Sequence, residues 1–444
     1  MFTTLKNAFK IKDLRDKILF TLAMLIVIRI GSQLPVPGVN GEYFKSWFDA
    51  QSDGAFSFFD AITGGSFINM SILALNISPY ITSSIIMQLL TIAIPKLEEM
   101  QRDGDDGRKK IASITRYVTI GLALIQSTAM AISFGRQGYL TDYAVMSTGE
   151  RALSITCAVA TLTAGSAFLM WIGERITERG IGNGISIVLV INIISRLPED
   201  LGNLFQQFVF GKAPATAVLA VVIIFAVIVA MVLLVIILND GVRRIPVQYA
   251  NKVQGRKMVG GQTSNIPLKV NTAGVIPVIF AQSLLQLPII ISSFTGYSGT
   301  GVWGEILKYM NSSYWCRPEQ LKYTVGLLVY IVLIVLFAYF YTSITFNPLM
   351  IADNMKKQGG FIPGIRPGKP TSDYLNKVLN YIVFIGAIGL TIIAVLPYFF
   401  SGVFNANVSF GGTSLIIIVS VVLETMKQVE SQMLVRNYKG FLEK

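Results

Sequence analysis

The chain has 444 residues, 52% of them hydrophobic and only 14% charged, with a mean hydropathy of +0.59. Repeated apolar runs on that background exclude an ordinary soluble globule and describe an all-α polytopic membrane protein. Histidine is absent, and 37 Lys and Arg face 25 Asp and Glu for a net charge of +12. The commonest general base and metal ligand is therefore missing, so neither a metal site nor enzyme catalysis is expected, and no cofactor. Two cysteines, Cys157 inside an apolar run and Cys316 in a connection, are too few and too differently placed for a disulfide framework.

Residues 1–17 are basic and amphipathic, and no small-residue cleavage site follows the first apolar run, so that run is expected to stay as a membrane span. Ten apolar runs are read in order, near 18–34, 72–94, 118–134, 153–172, 185–194, 217–238, 273–294, 325–344, 378–400 and 414–423. The fifth stops short before Arg196, and the tenth continues through Glu424 and Lys427. An even count places both termini on one side. Basic residues crowd the N-terminus (Lys6, Lys10, Lys12, Arg15, Lys17) and the connections after runs two, six and eight, while the odd connections are poorer, so the termini and even connections are expected to be cytoplasmic.

The stretch at 56–95 organises the rest. A short apolar piece (Phe56, Phe58, Phe59, Ala61, Ile62) precedes a break at Gly64 and Gly65, and a long run follows, interrupted by Asn76, Ser78 and Pro79. The first piece is too short to cross a bilayer, which takes about 20 residues. It reads either as a helix folded into the mouth of a passage or as an amphipathic helix lying on the surface.

Two connections, 239–271 and 347–376, are basic, rich in Gly and Pro, and longer than the roughly 12–15 residues of an ordinary loop. Arg244 to Ala250 alternates like a strand. Positive-inside signalling explains the charge but not the length or the alternation; docking of a large acidic or phosphate-rich partner accounts for all three. The cluster Glu174, Arg175, Glu178, Arg179 reads as i,i+4 pairing at a helix end.

Splitting the ten runs into fives exposes a weak repeat. Pro79 with Ile81 matches Pro277 with Ile279, and the glycine-serine openings at 182–186 and 411–414 are each followed three residues past the serine by Leu189 and Ile417. Five spans per half is odd, so the halves, residues 1–200 and 213–444, must be inverted. An inverted-repeat transporter of small solutes is the first rival reading, yet the runs carry no convincing mid-span acid or base of the sort such transporters use. Neutral polar residues, Ser83, Ser84, Gln88, Gln126, Ser127, Gln282 and Ser283, supply a seam able to part without stranding a charge. A scaffold without a conduit is the weaker third reading.

Several motifs then converge. Leu34-Pro35-Val36-Pro37-Gly38, Asn76-Ile77-Ser78-Pro79-Tyr80-Ile81, the run from Gly173-Glu174-Arg175 to Gly182-Asn183-Gly184-Ile185-Ser186, Pro267-Leu268-Lys269-Val270-Asn271, Gly364-Ile365-Arg366-Pro367-Gly368 and Gly411-Gly412-Thr413-Ser414 resemble, in order and spacing, the SecY family of bacterial protein-translocase channels. The resemblance covers nearly the whole chain. It implies ten transmembrane helices in two inverted, pseudo-symmetric halves, a clamshell around a central hourglass pore. It implies a pore ring at Ile77, Ile81, Ile185, Leu189, Ile279 and Ile417, able to dewet without gripping a passing chain. Leu189 stands where the family often has isoleucine. Without the resemblance, core packing or lipid contact would be the favoured explanation of these residues.

The resemblance also implies a plug at about 56–67, including Phe58, Phe59, Ile62, Gly64 and Gly65. It implies a lateral gate between spans two and seven, aided by three and eight, with Thr82, Gln88, Gln126, Ser127, Gln282 and Ser283 on it. Motor and ribosome docking would fall on Arg243, Arg244, Arg256, Lys257 and Arg366, with Asn251 uncharged where relatives often carry a base. The implied partners are the small membrane subunits SecE and SecG, the SecA motor ATPase, the ribosome through its rRNA backbone, preprotein signal sequences, YidC, SecDF and anionic lipid. The implied location is the bacterial plasma membrane. No nucleotide-binding loop is present in the sequence, so the energy for transport would come from partners.

Overall fold

The computed structural model describes residues 9–41, 44–46, 60, 63–137, 147–249, 252–254, 257–259, 263–295, 301–404 and 412–442. Phe58, Phe59, Ile62, Asn251 and Arg256 lie outside them. Helices dominate: α1 (Lys12–Gly31), α2 (Ser78–Ala93), α3 (Pro95–Arg102), α4 (Asp105–Gln137), α5 (Thr148–Arg179), α6 (Gly184–Phe208) and α7 (Pro214–Asp240). After a β region come α8 (Ile276–Thr295), α9 (Gly301–Met310), α10 (Val325–Thr345), α11 (Pro348–Lys357), α12 (Lys369–Phe404) and α13 (Gly412–Leu442). Each of the ten apolar runs lies wholly or partly on one of these helices. Among the described residues, five helical stretches are long and apolar enough to cross a membrane, or six if α2 and α3, bent by 106°, form one broken span.

Local chemistry sets several ends. Ser147 and Glu150 form a reciprocal capping box at the start of α5, and Asn183 accepts from the Ser186 N–H to open α6. Proline occupies the first turn of α2, α3, α7 and α11, where its missing N–H costs nothing. Helix α7 is apolar around its whole circumference, as lipid contact demands.

Four readings of the sequence are corrected. The second run is helical only from Ser78; residues 64–77 are turns, with Met70 and Asn76 in the left-handed region and Pro35 bridging Ser71. The fifth run does not stop before Arg196, because that arginine finds a buried acid, and α6 continues through Pro198 to Phe208. The connection at 347–376 is largely structured, holding α11, a two-residue strand and the start of α12. Glu174 pairs not along its own helix but with Arg116 of α4 at 2.7 Å, leaving Arg175 to Glu178 as an i,i+3 pair.

The chain packs as two compact units. The first comprises Met1–Phe210, Pro288–Ser313 and Asn407–Lys444; the second comprises Gly211–Leu287 and Tyr314–Ala406. Helix α13 joins the first unit because its Val429 packs with Leu14 and Ile181, and Gly182 lies close against Thr425. In the same unit, Val36, Phe44, Phe67, Met130, Phe134 and Leu162 share a buried cluster, with Phe44 edge-on to both Phe67 and Phe134.

The second unit carries the sheet. Strand β1 (Val242–Tyr249) runs antiparallel to β4 (Thr263–Lys269), and β5 (Gly360–Phe361) pairs with the end of β1. Strands β2 (Lys252–Gln254) and β3 (Lys257–Val259) form a separate ribbon. Ile245, Val247 and Leu268 point inward onto Met355, Ile362, Leu375 and Val378. Elsewhere in this unit, Trp315, Tyr330 and Tyr398 form an aromatic trio with centroids 5.2–5.9 Å apart.

Candidate functional site

Ile77 caps α2 and Ile81 follows one turn later; Ile185 opens α6 and Leu189 follows one turn later. The i,i+4 spacing sets each pair on one helix face. Ile77, Ile81 and Ile185 belong to one apolar cluster with Ile28, Leu73, Leu169, Ile172, Ile176 and Val188. Leu189 and, on α13, Ile417 are buried as well. Ile279 stands on α8 in the second unit and is half-buried there.

Beside this apolar cluster lies a polar seam. Asn76 holds φ +51°, a conformation asparagine tolerates better than most residues. Its side-chain oxygen accepts from Asn192 Nδ2 at 3.1 Å, and its carbonyl accepts from Ser166 Oγ at 3.1 Å. The backbone at Gly64 lies against Asn192 so closely that a Cβ there would strike the Asn192 carbonyl, and its φ of +65° independently favours glycine. Ser195 Oγ and Arg29 Nη1 both donate to the Gly64 carbonyl, at 3.3 and 3.4 Å.

Asp60 completes the seam. Its side chain is 1% exposed and forms an ion pair of 2.7 Å with Arg196 Nη1, and its Oδ1 accepts from the Ile68 N–H at 3.1 Å. Burial pushes its carboxyl up to about 6, against the opposing pull of Arg196 and of the Ile68 N–H; Glu199 and Asp200 add a further upward push. Phe67 and Ile68, seven and eight residues after Asp60, are anchored in the apolar cluster around Phe44. Asp60, Asn192, Ser195 and Arg196 were missed as a group by sequence reasoning. The available signal was charge: an acid and a base placed inside or beside apolar runs are functional suspects in a membrane protein.

The polar residues assigned to the gate have separate partners. Ser127 Oγ lies 2.9 Å from Thr163 Oγ1 of α5, and Gln282 accepts from the Tyr398 hydroxyl at 3.1 Å. Thr82 is exposed and bonds back to the Ser78 carbonyl; Gln88 and Gln126 are half-buried and Ser283 is exposed. Ser83 reaches Thr119 Oγ1 at 2.5 Å and the Thr115 carbonyl at 3.2 Å, joining α2 to α4.

On the docking side, Arg243 and Arg244 are exposed on β1, and Arg366 is exposed in the turn after β5. Lys257 lies on β3. The β1–β5 pairing, between residues more than 100 apart in sequence, places the two basic connections on one platform. Among the described residues no group of three or more His, Cys, Asp or Glu is arranged to hold a metal ion.

The SecY family model matches residues 71–426. A protein translocase subunit SecY from Bacillus licheniformis is 44% identical over 449 residues, covering all of both chains. This chain belongs to the SecY family. Another SecY, from Streptomyces scabiei, is 43% identical over 450 residues, again covering both chains completely. A solved structure described as that of a protein conducting channel matches with a TM-score of 0.60 at 18% identity, covering 94% of this chain and 92% of that one. At that identity the likeness shows the fold alone, a multi-pass SecY-type membrane fold.

Proposed function

We propose that this chain is the protein-conducting channel of a bacterial Sec translocase, passing unfolded preproteins across the plasma membrane and releasing apolar helices sideways into lipid. The observation that carries this reading is the apolar cluster holding Ile77, Ile81 and Ile185, next to a short segment seated on α6 through Asp60 and Gly64. Branched apolar side chains seal against ions by dewetting and make no strong contact with any passing sequence. In this reading Ile279, Leu189 and Ile417 complete the constriction, and residues 56–67 are the plug. Ten spans in two inverted halves surround it, with the termini and the basic connections in the cytoplasm.

The lateral gate runs between spans two and seven, and its neutral side chains exchange partners when it parts. Arg243, Arg244, Arg256, Lys257 and Arg366 receive SecA or the phosphate backbone of ribosomal RNA. SecE and SecG brace the channel, YidC and SecDF act beside it, and anionic lipid meets its basic cytoplasmic edge. The work of transport comes from ATP spent by the motor or from chain elongation.

The test is single-channel conductance of the reconstituted protein, intact and with residues 56–67 deleted. A silent intact protein and a frequently open deletion support the reading. A folded deletion as silent as the parent removes the plug assignment, and saturable uptake of a solute by the purified chain would favour a transporter instead.

A further inference from the structure

The seam that Asp60 and residues 63–68 form with α6 combines an apolar anchor with a charged one. Phe67 and Ile68 are fixed by burial among apolar neighbours, whereas Asp60 is fixed by charge. A carboxylate with 1% of its side chain exposed is tolerated only when its charge is compensated. Arg196 of α6 pairs with it directly, and Glu199 and Asp200 of the same helix face it as like charges. Arg29 of α1 is directed to the Gly64 carbonyl, one turn further along the segment.

We propose that Asp60 and Arg196 form a charge-conditional latch: Asp60 and residues 63–68 stay seated on α6 only while the Asp60 carboxylate is compensated, by the Arg196 guanidinium or by a proton. The latch rests on the channel reading only for its consequence, which is that an unseated segment leaves the conduit unsealed. Seating itself is a property of the first unit and is measured without reference to conduction. The geometry makes an asymmetric demand. Removing Arg196 alone leaves a buried unpaired carboxylate and should unseat the segment; removing both charges should reseat it, since the Ile68 N–H keeps an acceptor when Asp60 becomes Asn.

The experiment uses the full-length chain with Cys157→Ser, Cys316→Ser and Thr63→Cys, because Thr63 is fully buried within the seated segment. Labelling by a water-soluble maleimide is followed for the parent, Arg196→Gln and Asp60→Asn/Arg196→Gln, each rate normalised to the same thiol in the denatured chain. At pH 7.5 Arg196→Gln should label at least about tenfold faster than the parent, and the double variant should return to within about threefold of it. Lowering the pH to 5.5 should slow Arg196→Gln several-fold and leave the double variant unchanged. Parent-like labelling of Arg196→Gln, or a double variant as fast as the single one, overturns the latch.

Should Arg196→Gln fail to accumulate, normal accumulation of the double variant supports charge compensation, and loss of both overturns it. Conductance of the 56–67 deletion reports separately on the channel reading. A silent deletion with the expected labelling pattern removes the channel consequence and keeps the latch.

Discussion

Single residues at the seam carry large consequences because each meets a backbone or a buried charge. Gly64→Ala places a Cβ on the Asn192 carbonyl at a φ of +65°, a strain of about 1–3 kcal/mol, and is expected to raise spontaneous channel opening severalfold in conductance records. Asn192→Leu removes the donor to the Asn76 side chain; the loss of about 1–3 kcal/mol should lower the melting temperature of the purified protein by several degrees. Asp60 adds a pH dependence of its own. Its carboxyl is raised from 3.8 to about 6 when seated, so the seated form holds a proton more tightly than a water-exposed one. The stabilisation this brings is present below about 3.8 and is lost as pH rises through about 6. Openings of the parent channel should therefore be rarer at pH 5.5 than at pH 8; the opposite order would show that Arg196 outweighs burial.

At the scale of elements, the sheet turns two separate basic connections into one surface. The alternation from Arg244 to Ala250 announced β1, and the structure adds what alternation cannot show: β5, two residues long, closes the sheet from the other connection. Its partner choice is decided by the shared core, where Leu375 is fully buried beneath β1 and β4. Leu375→Ala should cost about 2–5 kcal/mol locally and make residues 239–271 more sensitive to protease, while conductance of the intact channel stays at the parent level. Charge reversal of Arg243 and Arg244, both exposed and away from that core, should instead weaken salt-sensitive binding of the motor or ribosome without altering protease sensitivity.

At the scale of the whole molecule, a conduit sealed by apolar side chains from several helices should fail cooperatively. Ile81→Asn and Ile279→Asn each insert a wettable amide into the proposed constriction, and the double variant should leak ions more than the two single effects combined. Additive or absent leakage, read from conductance, would place these residues in ordinary packing. The basic excess of +12, concentrated in the even connections, predicts that protease added from the cytoplasmic side cuts within 239–271 in oriented membranes.

Composition, run length and the positions of Lys and Arg determined by themselves that the chain is a multi-pass membrane protein, because transfer of apolar helices into lipid depends on local sequence alone. The ordered motifs from Leu34 to Ser414 carried the family likeness, and the apolar identity of Ile77, Ile81 and Ile185 was legible for the same reason. The tertiary structure decided what those residues meet. Arg196 looked like the end of a span until Asp60, more than 130 residues earlier, was placed 2.7 Å away. Asn76 looked like a loosened backbone until Asn192 and Ser166 were found holding it. A buried charge or amide is stabilised by a partner distant in sequence, and only the folded chain says which partner that is.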